Sequence, residues 1–176
     1  EPVAWTWLLH SHNRMAQAGE NAVAASNGAA EGWMELFTSG ELTLNLTDRF
    51  FSPAINWKKR TGPDGRVQEY VNHWHAEFTI AAKSRAQRFL AVFRITPEGR
   101  KPLTLKCGAK GRVTVGGWSV SAELDASKPA SLSVTDRRGN AVLYNTPASE
   151  TAGSTVVRRR GEPARELVDV VPASVR

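Results

Sequence analysis

This chain has a single cysteine, Cys107, among its 176 residues. It therefore has no internal disulfide and no cysteine-rich zinc site. No apolar run approaches the ~20 residues that a membrane-spanning helix needs, so we expect no membrane partner. Phosphate-binding glycine loops, dinucleotide fingerprints and nucleophile-elbow motifs are also absent. These absences exclude the familiar sequence signatures of nucleotide-dependent enzymes and of serine hydrolases.

Acidic residues are fewer than basic ones. The chain has 23 Lys and Arg residues and 17 Asp and Glu residues, which gives a formal net charge of +6. A basic surface favours an anionic partner such as an acidic polysaccharide, nucleic acid or anionic lipid. The charge is concentrated in three clusters, Lys58–Arg60, Arg137–Arg138 and Arg158–Arg160. No cluster alternates with aromatic residues, so we do not expect nucleic acid as the partner. A simpler interpretation is that the clusters are solvated turns and strand edges.

Apolar and polar residues alternate with a period of two, which is the pattern of strands with one buried face. The alternation is clearest in five segments, Trp5–Leu9, Leu42–Leu46, Val113–Val115, Val120–Leu124 and Leu132–Val134. Turn sequences such as Asn27-Gly28 and Arg138-Gly139-Asn140 separate the strands. No stretch has a sustained 3.6-residue apolar stripe. The sequence predicts an all-β protein with the architecture of an antiparallel β-sandwich.

Some segments carry more specific expectations. Residues 14–22 are compatible with a helical turn, but Gly19 interrupts it. Arg88–Thr96 has apolar residues on both faces, which predicts a central strand buried on two sides. We expect residues 1–146 to form the sandwich. We expect residues 147–176 to add a loop and a C-terminal edge strand to the same domain, the edge being blunted by Arg158–Arg160 and Pro163.

The four histidines form two H-x-H pairs, His10/His12 and His73/His75, each in a segment with strand character. Residues two apart on a strand point to the same face, so each pair presents two imidazoles side by side, and Glu77 shares the face of the second pair. Neutral imidazole is the commonest protein metal ligand. If the two strands are neighbours, the four histidines predict a site for zinc or another divalent metal. The alternative is one histidine hydrogen-bonded within the sandwich and the others exposed.

Six tryptophans are present. Exposed aromatic rings can stack on the C–H faces of sugars, and Trp57 lies in a loop beside Lys58, Lys59 and Arg60, which suits an acidic glycan. Trp118 follows Gly116-Gly117 and opens a predicted strand. The residues predicted to bind carbohydrate are Trp57, Lys58, Lys59, Arg60 and Trp118. We expect the remaining tryptophans of the histidine-bearing strands, Trp5, Trp7 and Trp74, to pack in the core.

Three segments carry a family resemblance. Ala4–Ser11 (AWTWLLHS) resembles the WxWLLHS strand in the C-terminal half of heparinase II/III-like polysaccharide lyases. Asn72–Thr79 (NHWHAEFT) looks like the later NxWHxT strand of that family, and Arg88–Phe93 (RFLAVF) looks like the RFLxVxx strand that follows. The resemblance covers roughly residues 4–125 and fades beyond them.

The resemblance implies a C-terminal β-module of an enzyme that cleaves uronic-acid-containing polysaccharides by β-elimination. In that family an α-helical toroid precedes antiparallel β-domains. The Tyr and His that abstract the C5 proton, and a structural zinc with its HxHxD-type segment, lie in parts that this sequence does not contain. We therefore assign no catalytic residue here. The resemblance further implies a secreted or periplasmic protein whose partners are an acidic polysaccharide and the catalytic domain of the same parent. The chain begins at Glu1 and not at Met, in keeping with a processed protein or a piece of a longer one.

Three functions stay open at this point. The first is a non-catalytic β-sandwich module that supports a lyase fold and contacts an acidic polysaccharide. The second is a small metal-binding β-protein or metal-dependent enzyme that uses the two H-x-H pairs. The third is an independent carbohydrate-binding module.

Overall fold

The computed structural model describes residues 1–49, 59–69, 73–108 and 111–168. Within these ranges the protein is all-β and the paired strands are antiparallel, which confirms the predicted fold class. None of its described segments is a helix long and apolar enough to cross a membrane. The strands are β1 (Val3–Ser11), β2 (Met15–Gly19), β3 (Ala22–Ser26), β4 (Ala30–Phe37), β5 (Thr43–Thr47), β6 (Lys59–Thr61), β7 (Val67–Glu69), β8 (Trp74–Ser84), β9 (Leu90–Pro97), β10 (Leu105–Cys107), β11 (Arg112–Val115), β12 (Trp118–Ala122), β13 (Leu132–Asp136), β14 (Ala141–Tyr144), β15 (Thr155–Arg158) and β16 (Arg165–Leu167).

The chain divides into two compact units. Unit 1 consists of residues 1–36, 40–85 and 91–102, and unit 2 consists of residues 37–39, 86–90 and 103 onward. Unit 1 contains a three-stranded sheet in the order β1-β8-β5, a four-stranded sheet in the order β2-β3-β4-β9, and the hairpin β6-β7. Unit 2 contains one seven-stranded sheet in which β10 to β16 follow each other in chain order.

The three-stranded sheet of unit 1 has one apolar and one polar face, because its strands alternate as the sequence predicts. On the apolar face Phe78 and Ile80 are buried, and the Trp7 and Phe78 rings meet edge to face at 5.9 Å between centroids. The Trp5 indole Nε1 donates a hydrogen bond to the Ser84 carbonyl oxygen at 3.2 Å. The tryptophans expected in the core, Trp5, Trp7 and Trp74, are half-buried.

The four-stranded sheet of unit 1 contributes the buried apolar residues Met15, Ala22, Val23, Met34 and Leu36. At the predicted turn, Gly28 has φ +80° and the Asn27 side-chain oxygen accepts hydrogen bonds from the Ala29 and Ala30 amides. Residues 14–22 do not form the helical turn with which their sequence is compatible, since β2 and the start of β3 occupy that segment. The pairing of Ala16 with Ala24 supplies there the hydrogen bonds that a helical turn would have provided.

Strand β9 does not have the surroundings that its composition predicts. It is the edge strand of the four-stranded sheet, and Phe93 and Ile95 are 57% and 77% exposed. The expectation of a central strand buried on two sides is therefore wrong. Apolar residues on both faces favour burial, but burial also requires a neighbouring layer on each side.

The seven-stranded sheet of unit 2 is a meander of short hairpins. At the predicted Arg138-Gly139-Asn140 turn between β13 and β14, Gly139 has φ +85° and the Asp136 carboxylate accepts hydrogen bonds from the Arg138 and Asn140 amides. A small apolar cluster forms from Ala141, Leu143 and Val156 with Ala148 against it. The C-terminal described segment forms two strands, β15 and β16, and β16 is the edge of the sheet.

Arg88, which opens the third family-like segment, also belongs to unit 2. Its guanidinium donates hydrogen bonds to the carbonyl oxygens of Glu123 at 3.2 Å, Asp125 at 2.7 Å and Lys128 at 2.6 Å. The Asp125 carboxylate accepts hydrogen bonds from the Ser127 amide and hydroxyl, which lower its pKa to about 2. Arg88 therefore holds the loop between β12 and β13.

Candidate functional site

The two H-x-H pairs meet on the polar face of the three-stranded sheet. Strand β1 pairs with β8 so that His10 lies opposite His75. The His10 and His75 rings are 4.4 Å apart between centroids, and the His12 and His73 rings are 4.1 Å apart, both in edge-to-face contact. The strands that carry the histidines are thus neighbours, which was the condition for the predicted four-histidine cluster.

His75 lies in the centre of this cluster. It is 8% exposed, between His10 on β1 and Thr47 on β5, whereas His10, His12 and His73 are exposed. Burial lowers the pKa of His75 below its usual value, the nearby His10 and His73 lower it further, and Glu77 opposes the shift. Because burial disfavours the imidazolium, His75 is held in the neutral form.

Glu77 lies on the same face, as the alternation predicts, in the register row next to His75. It pairs with Leu8 on β1 and Asn45 on β5, and the Asn45 side-chain amide donates a hydrogen bond to its carboxylate at 2.9 Å. In the following row the Thr6 and Thr79 hydroxyls are 3.1 Å apart. Apart from the exposed Leu8, the face is therefore a ladder of polar cross-strand pairs, in which the histidines form the last two rungs.

The arrangement of the rings bears on the metal hypothesis. Among the described residues, no group of three or more His, Cys, Asp or Glu side chains is placed so that it could hold a metal ion. The histidines meet as two ring-to-ring pairs, so any shared ion would require the rings to turn. The involvement of a metal stays a prediction.

The residues predicted to bind carbohydrate are not all described. Trp57 and Lys58 lie outside the described residues, and Lys59 and Arg60 are described only as backbone of β6, which pairs with β7 in unit 1. Trp118 belongs to unit 2, where it begins β12 and is 48% exposed. The structure therefore gives a full environment for Trp118 alone.

Trp118 lines an open groove with a volume of about 390 Å³. The groove runs across the ends of β12 to β15 in unit 2, and its lining consists of Trp118, Val134, Asn140, Ala141, Val142, Val157, Arg158 and Arg159. Trp118, Val134, Val142 and Val157 share one face of the sheet by register. Arg158 pairs with Ala141, so its side chain lies on the other face.

Hydrogen bonds hold the rim of this groove in place. The Asn140 side chain donates to the Asp136 carboxylate at 2.7 Å and accepts from the Arg160 amide at 2.9 Å, which ties the β13–β14 turn to the arginine segment. The hydrogen bond from the Asn140 side chain is the main cause that lowers the pKa of Asp136. Arg137 donates to the Gly116 carbonyl oxygen at 3.1 Å, beside Trp118.

Sequence reasoning missed Arg159 as a residue that lines this groove and interpreted it as protection of a strand edge. Arg159 is distant from Trp118 along the chain, and only the pairing of β12 through β15 brings both to one sheet. The signal in the sequence was the cluster Arg158–Arg160 itself. The residues near it in sequence do not show which aromatic residue lies in the same sheet.

Comparison with known proteins adds no family. Neither the models of known protein families nor the curated proteins include a match to this chain.

Proposed function

We propose that this chain is a non-catalytic β-module of a polysaccharide lyase of the heparinase II/III-like type, which supports the fold of its parent enzyme and contacts an acidic polysaccharide. The observation that carries the proposal is the pairing of the first two family-like segments. Trp5 to Ser11 of β1 lie opposite Ile80 to Trp74 of β8 without a register shift. Segments that resemble the family's strands by chance have no reason to become adjacent strands. The pairing therefore supports a common origin of these two segments with the corresponding strands of the family.

Charge supports the second part of the proposal. The net charge of +6 favours an anionic partner, and exposed arginines accompany an exposed tryptophan in unit 2. Arginine presents several N–H donors in a plane, which suits carboxylate and sulfate groups. We assign no step of β-elimination to this chain.

Titration of the 176-residue protein with alginate, heparin and neutral xylan tests the contact with polysaccharide. We expect binding to the two anionic polymers that weakens as salt is added, because salt screens exposed charges. We expect no binding to xylan and no release of unsaturated sugar ends. Formation of unsaturated ends by this chain alone would contradict a non-catalytic role, and absence of all binding would leave only the structural role.

The link to a parent lyase is tested separately by the coding sequence upstream of Glu1. A preceding region of several hundred residues with helical periodicity would support it. A stop codon or an unrelated domain directly upstream would overturn it, whatever the result of the glycan titrations.

A second candidate is a metal-binding β-protein, which is favoured by the meeting of four imidazoles on one sheet face. Zinc would require neutral rings, so its affinity would fall below about pH 6. Metal analysis of protein purified without an affinity tag should find near-stoichiometric metal, and His10→Gln with His75→Gln should remove it. Metal-free protein that also fails to bind added zinc would end this candidate.

A further inference from the structure

The ladder of polar pairs in unit 1 ends in two exposed histidines, His12 and His73, which we call the outer pair. His12 follows the last residue of β1, and His73 precedes the first residue of β8. Because Ser11 lies opposite Trp74, the next position on each side brings His12 against His73, and their ring centres are 4.1 Å apart. Both side chains are exposed. The outer pair is therefore the solvent-facing end of the histidine ladder.

The separation of these two rings is close to that of two imidazoles bound to one metal ion. Metal–nitrogen bonds to histidine are about 2.0–2.1 Å long, so two imidazoles at a right angle around an ion have ring centres about 4.5 Å apart. The observed separation of 4.1 Å needs only a small opening of the pair. The second side-chain torsion of histidine is broad, and the ring centre lies near its axis. Each ring can therefore turn a nitrogen towards an ion while its centre stays almost in place.

The inner pair, His10 and His75, is less suited to take up an ion from solvent. Its ring centres are 4.4 Å apart, but His75 is 8% exposed and lies between β1 and β5. An ion with two protein ligands completes its coordination with water, and this requires open space beside the rings. The exposed outer pair has that space, whereas the buried His75 does not.

The charged side chains of the neighbouring residues are compatible with a cation at the outer pair. Arg14 follows His12 by two residues, and its guanidinium lies 5.6 Å from the centre of the Trp74 ring. Trp74 is one residue from His73 on an extended segment, so its side chain points to the opposite face of the sheet. The Glu77 carboxylate lies on the histidine face. The positive charge of Arg14 is thus directed away from the outer pair, and the negative charge of Glu77 is on the same side as the pair.

The number of ligands determines the kind of ion that we expect. A structural zinc ion has four protein ligands, so two imidazoles are too few for it. Cu²⁺ binds nitrogen and oxygen ligands more tightly than the other divalent ions of its row, and it favours a square-planar or tetragonal arrangement. Two imidazoles at a right angle occupy two neighbouring positions of such a plane and leave the others for water. The separation of the rings corresponds to this angle.

We infer that His12 and His73 form a two-imidazole site for a divalent transition-metal ion, with Cu²⁺ preferred, and that the bound ion links the end of β1 to the beginning of β8. This inference goes beyond the proposed function, because it requires no polysaccharide. It also differs from the four-imidazole zinc site of the second candidate, because it uses neither His10 nor His75.

Calorimetric titration of the full chain with Cu²⁺ at about pH 7.5, where imidazoles are neutral, tests the inference. Cys107 is exposed and thiolates bind copper, so every protein in the series carries Cys107→Ser and is purified without an affinity tag. We expect His12→Gln and His73→Gln each to lower the affinity at least about tenfold, since even residues that only support a ligand change metal affinity by about 10–100-fold. His10→Gln is the matched control, because His10 is exposed on the same face in the adjacent rung, and it should bind Cu²⁺ as the Cys107→Ser protein does.

Two further measurements report the coordination and its effect on the sheet. Electron paramagnetic resonance of the copper-loaded protein should show couplings from two imidazole nitrogens, and from one in His12→Gln or His73→Gln. Saturating Cu²⁺ should slow amide hydrogen exchange at the end of β1 and the beginning of β8 at least about tenfold, because an ion that binds only the paired strands stabilises them. Exchange in unit 2 should stay unchanged.

Each outcome has a distinct meaning. If the Cys107→Ser protein binds Cu²⁺ and both outer-pair variants bind it equally well, the inference is overturned. If His10→Gln loses as much affinity as the outer-pair variants, the four imidazoles share one ion and the inference is wrong, while the second candidate gains support. If Zn²⁺ binds more tightly than Cu²⁺, the preferred ion is wrong. If neither ion binds, the inference and the second candidate both fail, and the polysaccharide titrations still decide the leading proposal independently.

Discussion

Two phenylalanines of unit 1 have the same side chain and opposite surroundings. Phe78 on β8 is 0% exposed and touches the Trp7 ring, whereas Phe93 on β9 is 57% exposed at a sheet edge. Burial removes apolar area from water and fills space that a truncation would leave empty. Phe→Ala removes the same atoms at both positions. The difference between the two losses in the free energy of unfolding therefore reports the difference in tertiary environment.

We expect Phe78→Ala to reduce the free energy of unfolding by about 3–5 kcal/mol, the usual cost of truncating a buried aromatic residue. Phe93→Ala should cost less than about 1 kcal/mol, because little buried surface is lost. Denaturant unfolding monitored by fluorescence gives both values. Equal losses at the two positions would contradict the edge position of β9.

We expect the free energy of unfolding to depend on pH through the side chain of His75. Burial lowers the pKa of its imidazole below the value of about 6.5 that it has in the unfolded chain. The unfolded state therefore takes up a proton at His75 more readily than the folded state does. The stabilisation from neutral His75 is complete above about pH 6.5 and is lost as the pH falls below it.

The free energy of unfolding should accordingly decrease between pH 7.5 and pH 5.5, and it should decrease less in His75→Gln, which cannot be protonated. His12→Gln serves as the control, because His12 is exposed and is not among the groups that shift the pKa of His75. It should keep the pH dependence of the unmodified protein. An unchanged slope in His75→Gln would show that another group is responsible.

At the scale of elements, the turns decide how short strands form a sheet. Gly111 has φ +71° just before β11, and a Cβ there would lie 2.4 Å from the Ala122 carbonyl oxygen. Its own carbonyl accepts the Ala122 amide at 3.2 Å, so the glycine lies against the end of β12. Gly139 has φ +85° between β13 and β14, and no atom lies within 4 Å of the corresponding position.

Alanine at these two glycines separates backbone strain from steric overlap. Gly139→Ala should cost about 1–2 kcal/mol, the penalty for a left-handed conformation with a Cβ. Gly111→Ala should cost at least about 3 kcal/mol, because the overlap with a backbone atom adds to that penalty. Thermal and denaturant unfolding provide the comparison. A smaller loss at Gly111 than at Gly139 would disprove the close approach of β12.

On the scale of the whole molecule, the division into two compact units predicts which strands open more easily when a substitution destabilises one unit. Unit 1 is built on long-range pairs such as β1 with β8, whereas unit 2 is a meander of consecutive strands. Regions with separate contacts can open separately. Amide hydrogen exchange should therefore increase mainly in β1, β5 and β8 for Phe78→Ala, and mainly in β11 to β14 for Gly111→Ala. An equal increase throughout the described chain in both variants would indicate a single cooperative unit.

The two candidate sites also belong to different units, the histidine ladder to unit 1 and the Trp118 groove to unit 2. Substitutions at His75 should thus leave the affinity for anionic sugars unchanged, and substitutions at Trp118 should leave the pH dependence of unit 1 unchanged.

Local pattern was sufficient for several features of this protein. Alternation with a period of two predicted the strands and the all-β class, and the Asn27-Gly28 and Arg138-Gly139-Asn140 turns occur where their backbone preferences indicated. These features depend on a residue and its near neighbours in sequence. The edge position of β9 and the meeting of His10 with His75 depend on which strands become neighbours. Strand pairing is set by the sum of many contacts between distant segments, so only the tertiary structure decided them.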